Sequence, residues 1–336
     1  MAAACAALTG GAPAAAPGSG TTCTRYAVPL GSGAAPGTKD HPFRTVQRLV
    51  DSLRRGEIGC LRGGSYRIPR SGLEIRRRGF TLRSYPGERA TIKGITEILP
   101  SATNVTLSKL NFVGDGTAIT VKTYSSGTTI SDSDITNNRL GGSCLLLGSS
   151  YGTAERPKIL RNRIHDCGLG GRSYPSEHGI YADSVSGGEI SGNLIYNINQ
   201  GYAIQFYPSA KGLTFDHNVV DGGPTTLRGG ITFAGGASDP SSHNTVEYNI
   251  ITYAATYGIG STWGGPRGTD NLARNNCLFR NEPNIVAVNG GFSATHNVSA
   301  NPLFFNRARH DYRLQARSRC LRVVGYDTAR ALRRSS

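Results

Sequence analysis

A short pattern recurs along most of this chain: an asparagine, any residue, then an aliphatic one. It reads Asn162-Arg163-Ile164, Asn193-Leu194-Ile195, Asn218-Val219-Val220, Asn249-Ile250-Ile251 and Asn276-Cys277-Leu278. Degenerate copies stand at Leu110-Asn111-Phe112, Ser133-Asp134-Ile135 and Asn297-Val298, and successive copies lie 21 to 31 residues apart. Each is followed by a second apolar alternation, including Ile119-Thr120-Val121, Leu145-Leu146-Leu147, Ile180-Tyr181-Ala182, Ile204-Gln205-Phe206, Ile231-Thr232-Phe233 and Ile259-Gly260-Ser261. Two coupled repeats of this period describe a solenoid. Apolar residues alternate with polar ones at spacing two, with no 3.6-residue pattern between them, so each unit holds two or three short strands rather than a strand and a helix. Such strands stack in parallel, about 4.8 Å apart. Asparagine suits the bend of a coil, tolerating left-handed backbone and offering its amide to the asparagine on the next rung. The expected fold is all-β: a right-handed parallel β-helix of about eight regular rungs, with less regular N-terminal rungs before them.

Composition agrees with that fold. With 38% hydrophobic residues, 18% charged residues and 45 Gly, the chain is too apolar to be disordered and too rich in glycine for a helical bundle. No stretch approaches the roughly 18 apolar residues of a membrane-spanning helix. Phe43, Val46, Leu49, Val50 and Leu53 have helical spacing, so residues 43–55 read as an amphipathic helix capping the N-terminal end of the coil. Residues 301–322 are expected to close the other end. Residues 1–22 form a leader of small residues, 23–325 a single β-helix domain, and 326–336 a basic tail.

Export follows from two features. Small residues ahead of Cys5 look like the end of a bacterial lipoprotein signal, placing the protein outside the cell or on its envelope. The other six cysteines, Cys23, Cys60, Cys144, Cys167, Cys277 and Cys320, suggest disulfide pairs. Cys23 and Cys60 each sit in a strand-like segment and are predicted to be bridged; the pairing of the other four stays open. No Cys/His spacing suits structural zinc. The formal charge of +15, carried mostly by Arg, points to a polyanionic partner. No aromatic-plus-basic nucleic-acid motif occurs, which leaves an acidic polysaccharide as the expected partner of a monomer.

The segments Gly31-Ser32-Gly33-Ala34-Ala35-Pro36-Gly37-Thr38, His41-Pro42-Phe43-Arg44-Thr45-Val46 and Leu61-Arg62-Gly63-Gly64-Ser65-Tyr66 resemble the opening of bacterial pectate-lyase-like β-helix proteins. Asn301-Pro302-Leu303-Phe304 and Asp311-Tyr312-Arg313-Leu314 are similar to their closing segment. The resemblance covers residues from about 23 to 325 and implies architecture and export rather than a substrate. Relatives of this kind include polysaccharide lyases, glycoside hydrolases, epimerases and members without known activity. Those that use Ca²⁺ gather several Asp beside a Lys base. That cluster is not found in this sequence, and Ca²⁺ stays an open cofactor.

Outward side chains of stacked strands form columns. Aligning the second alternation places Thr120, Leu146, Tyr181, Gln205, Thr232, Gly260 and Val286 in one column, and Lys122, Gly148, Asp183, Tyr207, Ala234 and Thr262 beside it. Tyr181, Asp183, Gln205 and Tyr207 make a platform for stacking and hydrogen-bonding a sugar. The longest insertion, between Asn162 and Gly179, adds Arg172, Glu177 and His178 at its edge. Removing the C5 proton of a uronic acid needs a base, a neutralised carboxylate and an acid for the leaving oxygen. His178 and Tyr181 are the expected catalytic pair, with Arg172 or Lys211 facing the carboxylate and Trp263 stacking a further sugar. The leading expectation is a lyase of acidic polysaccharide. The alternatives are a non-catalytic binding or envelope solenoid and a glycoside hydrolase built on Asp216 and Glu247, with Arg274 on the next rung.

Overall fold

The structure is a computed structural model; it describes residues 22–335 apart from 117, 170–176, 223–227, 263 and 288–289. Three long parallel sheets run its length. The first has 11 strands, from Arg25–Ser32 and Ile58–Leu61 to Ser293–Thr295. The second has 10, from Gly64–Arg67 to Val298–Ser299. The third, also of 10, runs from Leu73–Ile75 to Ile285–Val286, with Ala154–Glu155 added at its side. Each turn of the chain visits the three sheets in that order, so every rung holds three short strands and pairs with the rungs before and after it.

The interior follows from the period-two pattern. Leu107, Ile130, Ile159, Ile190, Phe215 and Val246 stack in register on the first sheet, and Phe112, Ile135, Ile164, Ile195, Val220 and Ile251 on the second. All twelve are essentially inaccessible to solvent. Phe206, Phe233 and Phe292 continue the filling as a ring stack with 5.0 Å between successive centroids.

The repeated asparagine lies at the bend between the first and second sheets. Asn162, Asn193, Asn218, Asn249, Asn276 and Asn297 form one ladder, in which each Oδ1 from Asn193 onward accepts both the backbone N–H and the side-chain amide of the asparagine one rung earlier, while Asn162 Oδ1 accepts the Ser133 N–H. Each Nδ2 also donates to a carbonyl of the first sheet, as Asn218 does to Ile190 at 2.9 Å. The left-handed residue of the bend is not the asparagine but the one before it: Arg161, Gly192, His217, Tyr248, Asn275 and His296 all have φ between 52° and 67°. The amide must lie inside the bend to meet its stacked neighbours, so the backbone reversal falls one residue earlier.

Helix α1 (Val46–Ser52) covers the first rung, capped by the Thr45 side chain, which accepts from Arg48 N–H. It is shorter than its apolar spacing suggests, because Leu53 is already extended. The helix and its C-cap lie so close to the rung that a Cβ on Gly59 would meet Leu53 at 2.7 Å and Leu49 at 3.2 Å. At the other end the expectation is corrected. The hairpin Phe304–Asn306/Asp311–Leu314, α2 (Arg319–Val324) and α3 (Thr328–Ser335) lie along the outer face of the second sheet, and Ser293–Thr295 stays exposed. The reason is written in the repeat. Its middle residue is polar at Asn111, Asp134 and Arg163, then apolar at Leu194, Val219, Ile250 and Cys277, and the latter four pack under Tyr312, Leu314, Cys320 and Val324.

Cys23–Cys60 is bridged as expected, and Cys144–Cys167 and Cys277–Cys320 are bridged as well. Among the described residues, no helix is long and apolar enough to cross a membrane.

Candidate functional site

Pairing on the third sheet sets the columns. The outward order is Glu74, Glu97, Lys122, Leu146, Tyr181, Gln205, Thr232, Gly260 and Val286. The expected place of Thr120 is therefore corrected: Val121 pairs with Leu145, so Lys122 lies opposite Leu146, and Thr120 is buried. The slip of two residues had hidden Tyr124, whose place is beside Gly148 in the column of Asp183 and Tyr207. Tyr124 meets Tyr151 edge to face at 5.1 Å, and Tyr151 is 62% exposed. The platform is thus wider than the sequence suggested, with two further tyrosines on its N-terminal side.

Asp183 stands at an irregularity. Ala182 pairs with Phe206, but Ser184 pairs with Ser209, so one residue opposes two across this step. Bulges of this kind re-aim side chains and recur beside active sites. The Asp183 carboxyl is half-buried, and burial raises its pKa to about 6, with no cation among the described residues offsetting it. Burial, with the nearby Asp183 and Tyr207, pushes the Tyr181 phenol well above its usual range. Burial first, and then Glu97, Tyr151 and Asp183, push Tyr124 up to about 12. One carboxyl therefore titrates near neutrality among phenols that keep their protons.

His178 lies beneath this surface rather than at its edge. It is fully buried, and its Nδ1 accepts the Tyr202 backbone N–H at 3.0 Å. Its Nε2 has no hydrogen-bond partner among the described residues, with the Gln205 side chain the polar group beside it. Burial, helped by Arg228, lowers its pKa to about 3. The ring packs on Tyr181 at 5.3 Å and stacks on Tyr202, which stacks on Tyr257. A Cβ on Gly201 would come within 2.3 Å of His178 Nδ1, so only glycine lets the next rung approach. Glu177 is buried too, its carboxylate accepting the Leu169 N–H. Gln205 forms the floor at 9% exposure, and Lys211 pairs with Asp239 on the rim. Arg172 and Trp263 lie outside the described residues.

Asp216 and Glu247 are adjacent in register, with Arg274 next, as their spacing suggests. Their partners differ. Glu247 accepts from Arg274 at 2.7 Å, while Asp216 meets His217 at 2.5 Å and accepts from Ser191 at 3.0 Å. Among the described residues, no group of three or more His, Cys, Asp or Glu is placed to hold a metal ion.

Residues 92–241 match the family model described as a right handed beta helix region. A stretch of 74 residues is 39% identical to pectate lyase PEL9 of Emericella nidulans; the match spans 20% of this chain and 18% of that protein. Among solved structures, that of pectate lyase Pel9A covers 90% of this chain and 92% of its own with a TM-score of 0.62 at 12% identity. A complex of XylC with xylose covers 82% and 70% with a TM-score of 0.57 at 11% identity.

Proposed function

We propose, from the premise that this chain is a right-handed parallel β-helix of the pectate-lyase-like superfamily, that it cleaves an acidic, uronic-acid polysaccharide by β-elimination on the outer face of its third sheet. The observation that carries the reading is Asp183: a half-buried carboxyl with a pKa of about 6, set at a register shift among Tyr124, Tyr181 and Tyr207. It is ionised at neutral pH yet more basic than an ordinary carboxylate, which suits a general base. Asp183 takes the C5 proton α to the uronate carboxylate. The electron pair closes the C4=C5 double bond as the C4–O4 bond breaks, and the leaving oxygen takes the proton that Tyr181 has retained. We assign Lys211 and Arg172 to the uronate carboxylate, and Gln205, Tyr207 and Trp263 to hydroxyls and ring faces. His178 and Glu177, both buried, are positioning residues. Three disulfides fit an oxidising compartment, so we place the protein outside the cell or at its envelope, and we take it to act as a monomer.

The test incubates the protein with a panel of uronic-acid polymers, with and without Ca²⁺, and follows the ultraviolet absorbance of the conjugated product. We expect a rise whose kcat/KM climbs as pH passes about 6, since the base must be deprotonated. Asp183→Asn should lose about 10²–10⁴-fold. Full activity in that variant, or new reducing ends without absorbance, would sink the assignment.

A further inference from the structure

Away from the third sheet, the molecule has a cleft of about 330 Å³ where the C-terminal segment meets the outer face of the second sheet. That volume lies at the lower end of the roughly 300–1,000 Å³ typical of small-molecule sites. The cleft forms because the cover stops there: Leu194 is the last apolar residue of its column, and Arg163, Asp134 and Asn111 continue it uncovered.

The charges of the cleft do not cancel. Asp132 is held by both nitrogens of an Arg161 fork, at 2.8 and 2.9 Å. Asp134 meets His165 at 3.1 Å and Arg163 at 3.7 Å. Asp311 takes a second fork, from Arg313. Every carboxylate lining the cleft is thus engaged. Two guanidiniums are left over: Arg89, which donates to the Asp132 carbonyl at 2.9 Å, and Arg309. Among the described residues neither meets a carboxylate. They reach the cleft from different elements, Arg89 from a turn of the β-helix and Arg309 from the 3₁₀ turn Arg307–Arg309. Beside them Leu194, Ala329 and Leu332 supply an apolar patch.

We propose that this cleft is a second, non-catalytic site that binds an acidic sugar, with Arg89 and Arg309 on its carboxylate and the apolar patch against the C–H face of its ring. Guanidinium forks match carboxylate geometry, and an apolar wall beside them selects a ring over a bare anion. The site takes its acidic-sugar chemistry from the proposed function but does not depend on turnover. It would anchor the polymer, or a product of its cleavage, away from the platform.

Calorimetry tests this with galacturonate, glucuronate and neutral galactose, on the wild type, on Asp183→Asn, and on the Arg89→Ala/Arg309→Ala double variant. Both arginines are exposed, and circular dichroism checks that the double variant folds. We expect both uronates to bind the wild type and Asp183→Asn alike, galactose at least tenfold more weakly, and the double variant to lose at least tenfold for either uronate. The double variant should still cleave polymer if the wild type does. Unchanged uronate affinity in the double variant, equal affinity for galactose, or no uronate binding to the wild type overturns the inference, whatever the lyase assay shows. Binding that only the double variant loses upholds it, even against a flat absorbance trace.

Discussion

Replacing Asn218 by alanine removes one step of the asparagine ladder and leaves the rest in place. In the native chain Asn218 Oδ1 accepts from the Asn193 backbone N–H and from its Nδ2, each at 2.9 Å, while Asn218 Nδ2 donates to the Ile190 carbonyl at 2.9 Å. Alanine leaves the Asn193 N–H without its acceptor and the Ile190 carbonyl without this donor, both in a region closed to water. The Asn193 amide is less affected, because it still reaches the Ile159 carbonyl. The orphaned Asn193 N–H costs about 1–3 kcal/mol, and the Ile190 carbonyl, which keeps its place in the parallel ladder, adds less, so the loss should be roughly 1–3 kcal/mol. That is a large share of the about 5–15 kcal/mol that holds an ordinary domain together. Equilibrium unfolding in guanidinium measures it, with Thr245→Ala, on the outer face of the neighbouring rung, as a control expected within about 0.5 kcal/mol of wild type. Asn218→Asp separates the roles: it keeps the acceptor but buries a charge and loses the donor, and should cost at least as much as alanine. An alanine variant within about 0.5 kcal/mol of the control would refute the view that the ladder, rather than the apolar stacks alone, holds the bend.

Two histidines should give stability opposite slopes with pH. His178 has its pKa lowered from 6.5 to about 3, so the unfolded chain binds a proton that the folded one refuses; its share of stability falls as pH drops from about 6.5 toward 3, and His178→Gln should flatten that limb of the thermal midpoint. Burial disfavours the charge on His165, but Asp134 and Asp166 outweigh it and raise the pKa to about 9. Its contribution is complete below about 6.5 and fades as pH rises through 9, a limb that His165→Gln should remove; unchanged slopes in both variants would contradict these assignments. The Cys277–Cys320 bridge closes a 43-residue loop, for which chain entropy predicts about 4 kcal/mol. Cys277→Ser/Cys320→Ser should lower the unfolding midpoint and speed proteolytic release of the C-terminal cover, and cleavage no faster than in wild type would count against a fastening role.

What was legible in the sequence was whatever repeats. Period-two alternation fixed strands, parallel stacking and the inward residues, because those positions answer to the same packing demand on every rung. Single exceptions were harder. The rung of Val121 carries Ile119 two residues ahead of its true register, and period-two alternation fits either residue equally well. Asp183 looked like one more outward polar residue, although Pro208 within the strand 204–211 already signalled an interrupted ladder. His178 follows a turn, where no periodicity marks which residues are buried, and its burial depends on Gly201 of the following rung. The C-terminal cover was written plainly in the change from Asn111, Asp134 and Arg163 to Leu194, Val219, Ile250 and Cys277. The middle residue of the repeat carries this signal, while the repeat itself is defined by the asparagine and the aliphatic residue on either side of it.

The ladder asparagines stand 31, 25, 31, 27 and 21 residues apart, yet they stack atom upon atom. Much of that variation in length falls between the strands. An insertion at such a place cannot cause a frame error, because the next asparagine restores the phase whatever has come between. Such a backbone can be edited one excursion at a time, with novelty added at its margins while its cross-section stays the same.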